Sequence, residues 1–441
     1  MVDYTLKKFV LLFFIALFLS SYSVRAQEIV KVDMKNAVNI ALEKNMDIHA
    51  AKYDVKIAKN NIKVAGSLLN PDIGFFKNFG QAGRGNPDQV GMSAEFEILK
   101  RGARKNLAKS EYKTQSLTLN QQEFNTKMDV RQAYIALISA KSVLDTYEQQ
   151  LKLQDELLTL AKKRIKQDSS SQMDVIQAEI ARNQLYTQVN SAKIEVRREI
   201  LDFNKAINAD SLGKVVYDTE DDLFSDKNSF SDMLTIDPKQ ELPKFEDIVD
   251  KIIDNRFDIK IAKQQLESAN KNLVVVVRKR IPDFEIGAGY SFQNLYQTEY
   301  EYFKHGAYLG AALVNIPVFY NYSPEIQNAK MQVEQAQTRY NSVRNKAYLD
   351  FSNAYEKFVT AKVNLNFYDD KMIKSSNSMI NLAKKNYEEG KADLTSLIVM
   401  KQTYKSLMLG YTYALTDYYK GWIDLLREVN KESLDFSGET L

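Results

Sequence analysis

The strongest constraint on this chain is that it repeats itself at a nearly constant offset. Asp47 and Asp258 stand 211 residues apart, and Pro71-Asp72 recurs as Pro282-Asp283 at the same spacing. Further along, Ala108-Lys109 matches Ala329-Lys330, Asp129 matches Asp350, and Ala133-Tyr134 matches Ala354-Tyr355, each at 221. Leu160-Ala161-Lys162-Lys163 matches Leu382-Ala383-Lys384-Lys385 at 222. Copies of this length are not the units of a solenoid, which repeat every ~20–50 residues. They are two halves of one architecture, 27–208 and 245–430. Residues 209–244 read as a linker rich in Asp, Ser and Lys, with a short strand expected at Lys214–Tyr217, and 431–441 form a C-terminal tail.

Within each half the pattern predicts a helix, a strand hairpin, a long helix, a turn and another helix. The expected spans are a first helix over 34–69, a hairpin over 72–99, a long helix over 101–167 and a helix over 173–207. The second half gives a helix to Lys279, a hairpin over 283–319, a long helix over 324–389 and a helix over 394–428. Residues 101–167 contain no proline and are dominated by good helix formers. Apolar residues recur at Leu137, Ala140, Leu144, Tyr147, Leu151 and Leu158, which is coiled-coil spacing. Such a helix is ~100 Å long, more than an ordinary domain or a bilayer needs.

The strands give a different signal. Val90, Met92, Ala94, Phe96 and Ile98 fall on one face, and Gln89, Gly91, Ser93, Glu95 and Glu97 on the other. Phe284, Ile286, Ala288, Tyr290 and Phe292 likewise oppose Asp283, Glu285, Gly287, Gly289 and Ser291. Alternation over ~10 residues suits a barrel with lipid outside and water inside. Partner strands are expected around Ile73–Phe79 and Tyr308–Val318, with loops at 80–87 and 294–304. Four strands cannot close a barrel, whose smallest members have about 8, and open edges are not tolerated in lipid. A membrane location therefore demands several copies, and three would supply 12 strands.

Composition excludes much else. The absence of cysteine removes disulfides, cysteine-ligated metal clusters and a cysteine nucleophile, and the two histidines, His49 and His305, leave little for imidazole chemistry. No metal site, cofactor or catalytic residue is expected, and no enzyme reaction can be named. A net charge of +3 gives no basic stripe for nucleic acid. Residues 1–26 read as a cleaved export signal, with Lys7 and Lys8, an apolar run from Phe9 to Leu19, and Val24 and Ala26 before the cut. No later stretch reaches the ~18–20 apolar residues of a membrane helix.

These features together resemble the TolC family of outer-membrane efflux channels. The resemblance covers essentially the whole chain after the signal. Its most specific local feature is Met173-Asp174-Val175-Ile176-Gln177-Ala178-Glu179, which looks like the run opening the helix after the family's first periplasmic turn. The strand-to-helix joins at Phe96–Arg104, with Gly102, and at Val314–Phe319, with Pro317, also look like that family. The resemblance implies a mainly α fold with a small membrane β part. It implies a homotrimer with a shared 12-stranded barrel in the Gram-negative outer membrane and a long periplasmic α-barrel. It further implies a passive conduit for small molecules such as drugs, joined through a periplasmic adaptor to an inner-membrane transporter. Type I protein secretion and metal-cation efflux stay open as alternatives, as does a periplasmic coiled-coil scaffold. Residues expected at the periplasmic entrance are Asp174, Glu388, Glu389, Gly390 and Asp393, either as a rim of carboxylates or as helix caps. The sequence departs from the family at the turns: Gly390 follows Glu389, and Thr395–Val399 holds no carboxylate.

Overall fold

A computed structural model describes residues 28–77, 88–165, 172–209, 215–224, 230, 234, 245–292, 306–368 and 370–433. The expected export signal, both hairpin loops, the break at 168–171, most of the linker and most of the C-terminal tail lie outside them.

The described residues form a wall of long helices with a small sheet at one end. In chain order the elements are β1 (Glu28–Val32), α1 (Met34–Lys44), α2 (Met46–Ala65), β2 (Asp72–Phe76), β3 (Asp88–Phe96), α3 (Lys100–Ile165) and α4 (Gln172–Ile207). There follow β4 (Val215–Thr219), α5 (Phe245–Ile253), α6 (Phe257–Arg278), β5 (Asp283–Phe292), β6 (Gly306–Val314), α7 (Ser323–Asn366), α8 (Asp370–Glu388) and α9 (Leu394–Val429). At 66 residues α3 is about 100 Å long. Helices α4 and α9 have 36 residues each, and each is followed by an asparagine in the left-handed region, Asn208 at φ 59° and Asn430 at φ 63°. Asparagine tolerates that conformation better than other non-glycine residues, which suits it to end a helix.

Two expected helices are broken. The helix foreseen over 34–69 divides at Asn45, whose side chain accepts from the Asp47 and Ile48 amides at 2.8 and 3.1 Å and so caps α2. The helix foreseen over 324–389 ends at Asn366 and resumes as α8 at Asp370. The run Asn364-Leu365-Asn366-Phe367-Tyr368-Asp369-Asp370 explains the break, because Asn and Asp side chains compete for backbone hydrogen bonds. The first half has no such run, and α3 continues.

Packing fixes the order of the wall. At the sheet end the helices lie in the order α2, α3, α6, α7; toward the other end the order is α4, α3, α9, then α7 and α8. The sheet is antiparallel in the order β2-β3-β5-β6, and follows the helices to which those strands connect. The two expected hairpins are thus parts of one sheet, joined by β3 pairing β5 from Asp88↔Phe292 to Phe96↔Phe284.

The main core sits midway along the wall. There α1, α5, the parallel pair β1–β4 and the residues Phe230 and Leu234 cover one face of α3, α7 and α9. Met128, Tyr134, Ile135, Phe203, Phe351, Phe358, Tyr418 and Trp422 are all buried, and Trp422 donates its indole N–H to the Leu234 carbonyl at 2.9 Å. Asn204 ties β4 to α4 by bonding both the N–H and C=O of Tyr217 at 2.8 Å.

Beyond this core the seam of α3 differs from the sequence expectation. The apolar stripe at Leu144, Tyr147, Leu151 and Leu158 is half-buried, and the buried positions are Ser139, Ala140 (a member of the expected stripe), Ser142, Thr146, Gln150, Gln154, Leu157 and Ala161. Helix α3 packs on both α4 and α9, so the tightest contact falls between the two, where small and amide side chains allow close approach. Several of their polar atoms are hydrogen-bonded: Thr416 donates to Ser139 at 2.7 Å, Thr146 to the Ser142 carbonyl at 2.9 Å and Gln154 to the Ala178 carbonyl at 3.3 Å.

Candidate functional site

Two regions carry the candidate residues, the far tip of the helices and the sheet. At the tip a small core of Leu157, Ala178, Ala383, Tyr387, Leu394 and Leu397 draws α3, α4, α8 and α9 together. Helix α8 ends in a Schellman turn: the Lys391 amide reaches the Asn386 carbonyl at 2.8 Å and the Gly390 amide the Tyr387 carbonyl at 3.1 Å. Gly390 has φ +74°, a conformation costly for a side chain-bearing residue and free to glycine. Arg164 at the end of α3 donates to the Tyr387 carbonyl at 2.7 Å and lies 4.8 Å from the centre of its ring, so the tips of the two halves are tied at this turn.

The expected entrance residues divide by chemistry. Asp393 is the N-cap of α9, accepting from the Ser396 amide at 3.3 Å and from the Ser396 hydroxyl. The hydroxyl bond chiefly holds its carboxyl below the usual aspartate range, so it is ionised at neutral pH. Glu389 pairs with Lys391 at 2.5 Å and Lys385 at 3.9 Å. Glu388, Glu389, Gly390 and Asp393 are all exposed around one turn. Asp174 is the third residue of α4, half-buried and in the first turn, where its charge suits the helix dipole. The basic run nearby is largely matched: Lys162 pairs with Glu179 at 2.9 Å and Lys384 with Glu156 at 2.8 Å.

One tip residue is missed by sequence reasoning. Lys401 of α9 is 8% exposed, and its ammonium donates to the Leu153 carbonyl at 2.6 Å. Burial, and then the nearby Lys384 charge, lower its pKa from the ordinary 10.5 to about 8. A signal was present in the sequence, since Leu397, Ile398, Met400 and Tyr404 surround Lys401 on the helix, but a lone lysine on such a face also reads as one that reaches out to solvent.

At the strand-to-helix joins, Gly102 lies inside the first turn of α3 with open space where a side chain would project, so nothing there requires glycine. Pro317 lies in the link between β6 and α7. The unusual backbone of that link belongs instead to Asn315 and Tyr322, at φ 57° and 58°. Asn315 donates to Glu95 at 2.6 Å and to Asp283 at 3.2 Å, and Lys100 pairs with Asp283, which binds the ends of β3, β5 and β6 together. Asparagine tolerates the left-handed region better than other residues with a side chain, so the turn is made at Asn315, two residues before Pro317.

The sheet has two unlike faces. The pairing register aligns Ile73, Phe75, Val90, Met92, Ala94, Phe96, Phe284, Ile286, Ala288, Tyr290, Ala307, Leu309, Ala311 and Leu313 on one side. Among the described residues nothing covers its middle, where Ile73 is 79% exposed and Leu309 80%, while Asp88 at the end of β3 falls on this same side and is buried. The other side carries Asp72, Gln89, Ser93, Glu95, Asp283, Glu285 and Ser291, with glycines at Gly74, Gly91, Gly287, Gly289 and Gly310 and apolar residues at Phe76, Ala312 and Val314. Tyr308 lies over two of these; a Cβ on Gly91 or Gly289 would stand 2.3 or 2.5 Å from its ring or hydroxyl.

The wall is also unfinished at both sides. Among the described residues β2 and β6 each have a free edge, on the same sides as the unpartnered faces of α2 and α4 and of α7 and α8. Along α4, Met173, Ile180, Ile194 and Leu201 are exposed at multiples of seven residues. No described helix is long and apolar enough to cross a membrane.

Known proteins account for this geometry. Residues 37–206 and 248–426 match the family model for outer membrane efflux proteins, once in each half of the chain. No curated protein sequence matches the chain. Among solved structures the fold is similar to the open-state MtrE outer membrane channel of Neisseria gonorrhoeae, at 16% identity and a TM-score of 0.69 over 90% of this chain and 89% of that one. It is also similar to the outer membrane protein VceC of Vibrio cholerae, at 13% identity and 0.69 over 90% and 96%. A membrane protein from Pseudomonas aeruginosa aligns at 15% identity and 0.72 over 91% of each chain. The chain belongs to the outer membrane efflux protein family, whose place is the Gram-negative outer membrane with the helices extending into the periplasm.

Proposed function

We propose that the chain is one third of a passive trans-periplasmic conduit. It is an internally duplicated wall of which three copies close a 12-stranded barrel in lipid and a continuous helical tube below it. The observation that carries this reading is the coincidence of edges. Among the described residues the middle of the sheet's apolar face is bare, its two edges are free, and the helical wall is open on the same two sides. Because the four strands alternate in direction, β6 of one copy meets β2 of the next antiparallel, and the alternation continues around a ring. Closure removes every edge at once, as a hydrocarbon environment requires. The substrate class is small molecules such as drugs, passed on by an inner-membrane transporter through a periplasmic adaptor that meets the helical tip.

The chain lacks cysteine, which makes cross-linking direct. Phe75→Cys in β2, combined in turn with cysteine at Ala307, Leu309 or Ala311 in β6, is expected to give a ladder ending at three chains. Failure of every pair to link separate chains contradicts edge closure. At the tip, three copies bring three Asp393 carboxylates around the axis. Asp393→Ala is expected to shift the reversal potential in a planar bilayer toward anions, whereas an unchanged reversal potential and conductance reduce Asp393 to a helix cap.

A further inference from the structure

The seam between α7 and α9 holds two adjoining cavities of about 380 and 440 Å³ that share Ala361, Asn364 and Asp417. The first exists because the helix break at Phe367–Tyr368 opens the seam opposite Gly410. A Cβ there would stand 2.5 Å from the Tyr368 hydroxyl. Its mouth is formed by Phe367, 69% exposed, and Tyr413, 51% exposed. Asp417 lies one turn beyond Tyr413 on α9. It is exposed and has no hydrogen bond or ion pair among the described residues. The second cavity, which Asp417 also lines, adds Lys357 and Lys420 together with Glu356 and Asp424, so carboxylates outnumber ammonium groups by one across the two.

The position of this trough follows from helical geometry. Trp422 and Tyr419 on α9 are covered by Leu234 and Phe230 of the central layer. At 100° per residue, Tyr413 and Asp417 lie roughly 140–180° around the helix from Trp422, on the face turned away from that layer.

We infer that the trough formed by Phe367, Tyr413 and Asp417 is a binding site for amphiphilic organic cations. The ring faces supply an apolar surface with negative quadrupole, and a bare carboxylate stands one turn away. That combination suits a bulky apolar body with a single positive charge. An isosteric anion meets Asp417 as a like charge. The inference deepens the conduit reading by naming a substrate class, and it rests on that reading for the trough facing the tunnel. Binding itself needs one chain, since both walls belong to α7 and α9.

The test is equilibrium dialysis of the full chain in detergent against tetraphenylphosphonium, with tetraphenylborate as the isosteric anion. Partition into detergent is common to all variants and cancels between them. Asp417→Asn is expected to weaken tetraphenylphosphonium binding roughly threefold to fivefold, and Tyr413→Ala roughly threefold to tenfold, with helical content unchanged by circular dichroism. Tetraphenylborate is expected to show no retention that depends on either residue. Cation binding indifferent to both substitutions, or anion binding that falls with Tyr413→Ala as the cation's does, overturns the site. Asp417-dependent binding by a chain that proves monomeric supports the site while sinking the conduit, so the two readings fail separately.

Discussion

Met92→Arg is expected to keep the chain out of the outer membrane, while Ser93→Arg, one residue along the same strand, leaves assembly intact. Met92 lies in the middle row of the bare apolar face, paired with Ile73 and Ala288, and is 53% exposed. Arginine on the lipid face of a barrel costs about 2–4 kcal/mol near the bilayer midplane. With three copies in one barrel, that cost is paid three times in a single assembly. Ser93 points to the opposite face among Asp72 and Gly287, where a water-filled interior accepts a guanidinium. The measurement is the amount of oligomer in the outer-membrane fraction for each variant. A soluble half-buried sheet would reverse or equalise the two results, because then neither face meets lipid.

Lys401→Met is expected to stabilise the tip. The lysine is buried among α3, α4 and α9, and its ammonium has the Leu153 carbonyl as its hydrogen-bond partner, with no ion pair within reach among the described residues. A depression from 10.5 to about 8 corresponds to roughly 3 kcal/mol of penalty on the charged form. The sign follows from proton counting. Below about pH 8 both folded and unfolded chains carry the proton, and the whole penalty falls on the folded state. Between about 8 and 10.5 the unfolded chain holds more protons than the folded one, so stability rises with pH. Other charges near Lys401 are Glu156 and Lys384, which pair with each other at 2.8 Å, and Lys405, which bonds Gln188 at 3.2 Å. Methionine fills similar volume without the charge, as when a buried ionic group is exchanged for a well-packed apolar one. Hydrogen exchange at α9 amides near 397–405 is expected to slow in the variant at pH 7, and the protection factors, with the intrinsic base-catalysed rate divided out, are expected to lose their rise between pH 8 and 10. Faster exchange at pH 7 would show that the Leu153 bond outweighs the burial penalty.

Much of the architecture was legible because it is written in periodicity. The 211 and 222 offsets set out two halves with the same order of elements, and the alternation at 89–98 and 283–293 separates an apolar from a polar face residue by residue. Other features depend on partners far away in sequence. The polar seam Ser142–Thr146–Gln150–Gln154 is buried because α4 and α9 both press on it, and α9 lies some 250 residues away. Lys401 is buried by that same junction. The pairing of β3 with β5 joins strands from different halves, which no hairpin signal encodes. The break at 367–369 was foreseeable from its asparagines and aspartates. It was overridden by the repeat, whose first copy runs through α3 unbroken. At the tip, Gly390 and Asp393 announced a turn and a cap. Asn315 is legible only once Glu95 and Asp283, its partners from two other strands, are brought beside it.

The most direct test of the central claim is the mass of the protein extracted from the outer-membrane fraction, measured by light scattering with the detergent subtracted. The account predicts three chains per particle, released only by detergent. A single chain, or one that washes free without detergent, would contradict it, because a lone wall leaves the edges of β2 and β6 and the apolar face between them open to the surroundings.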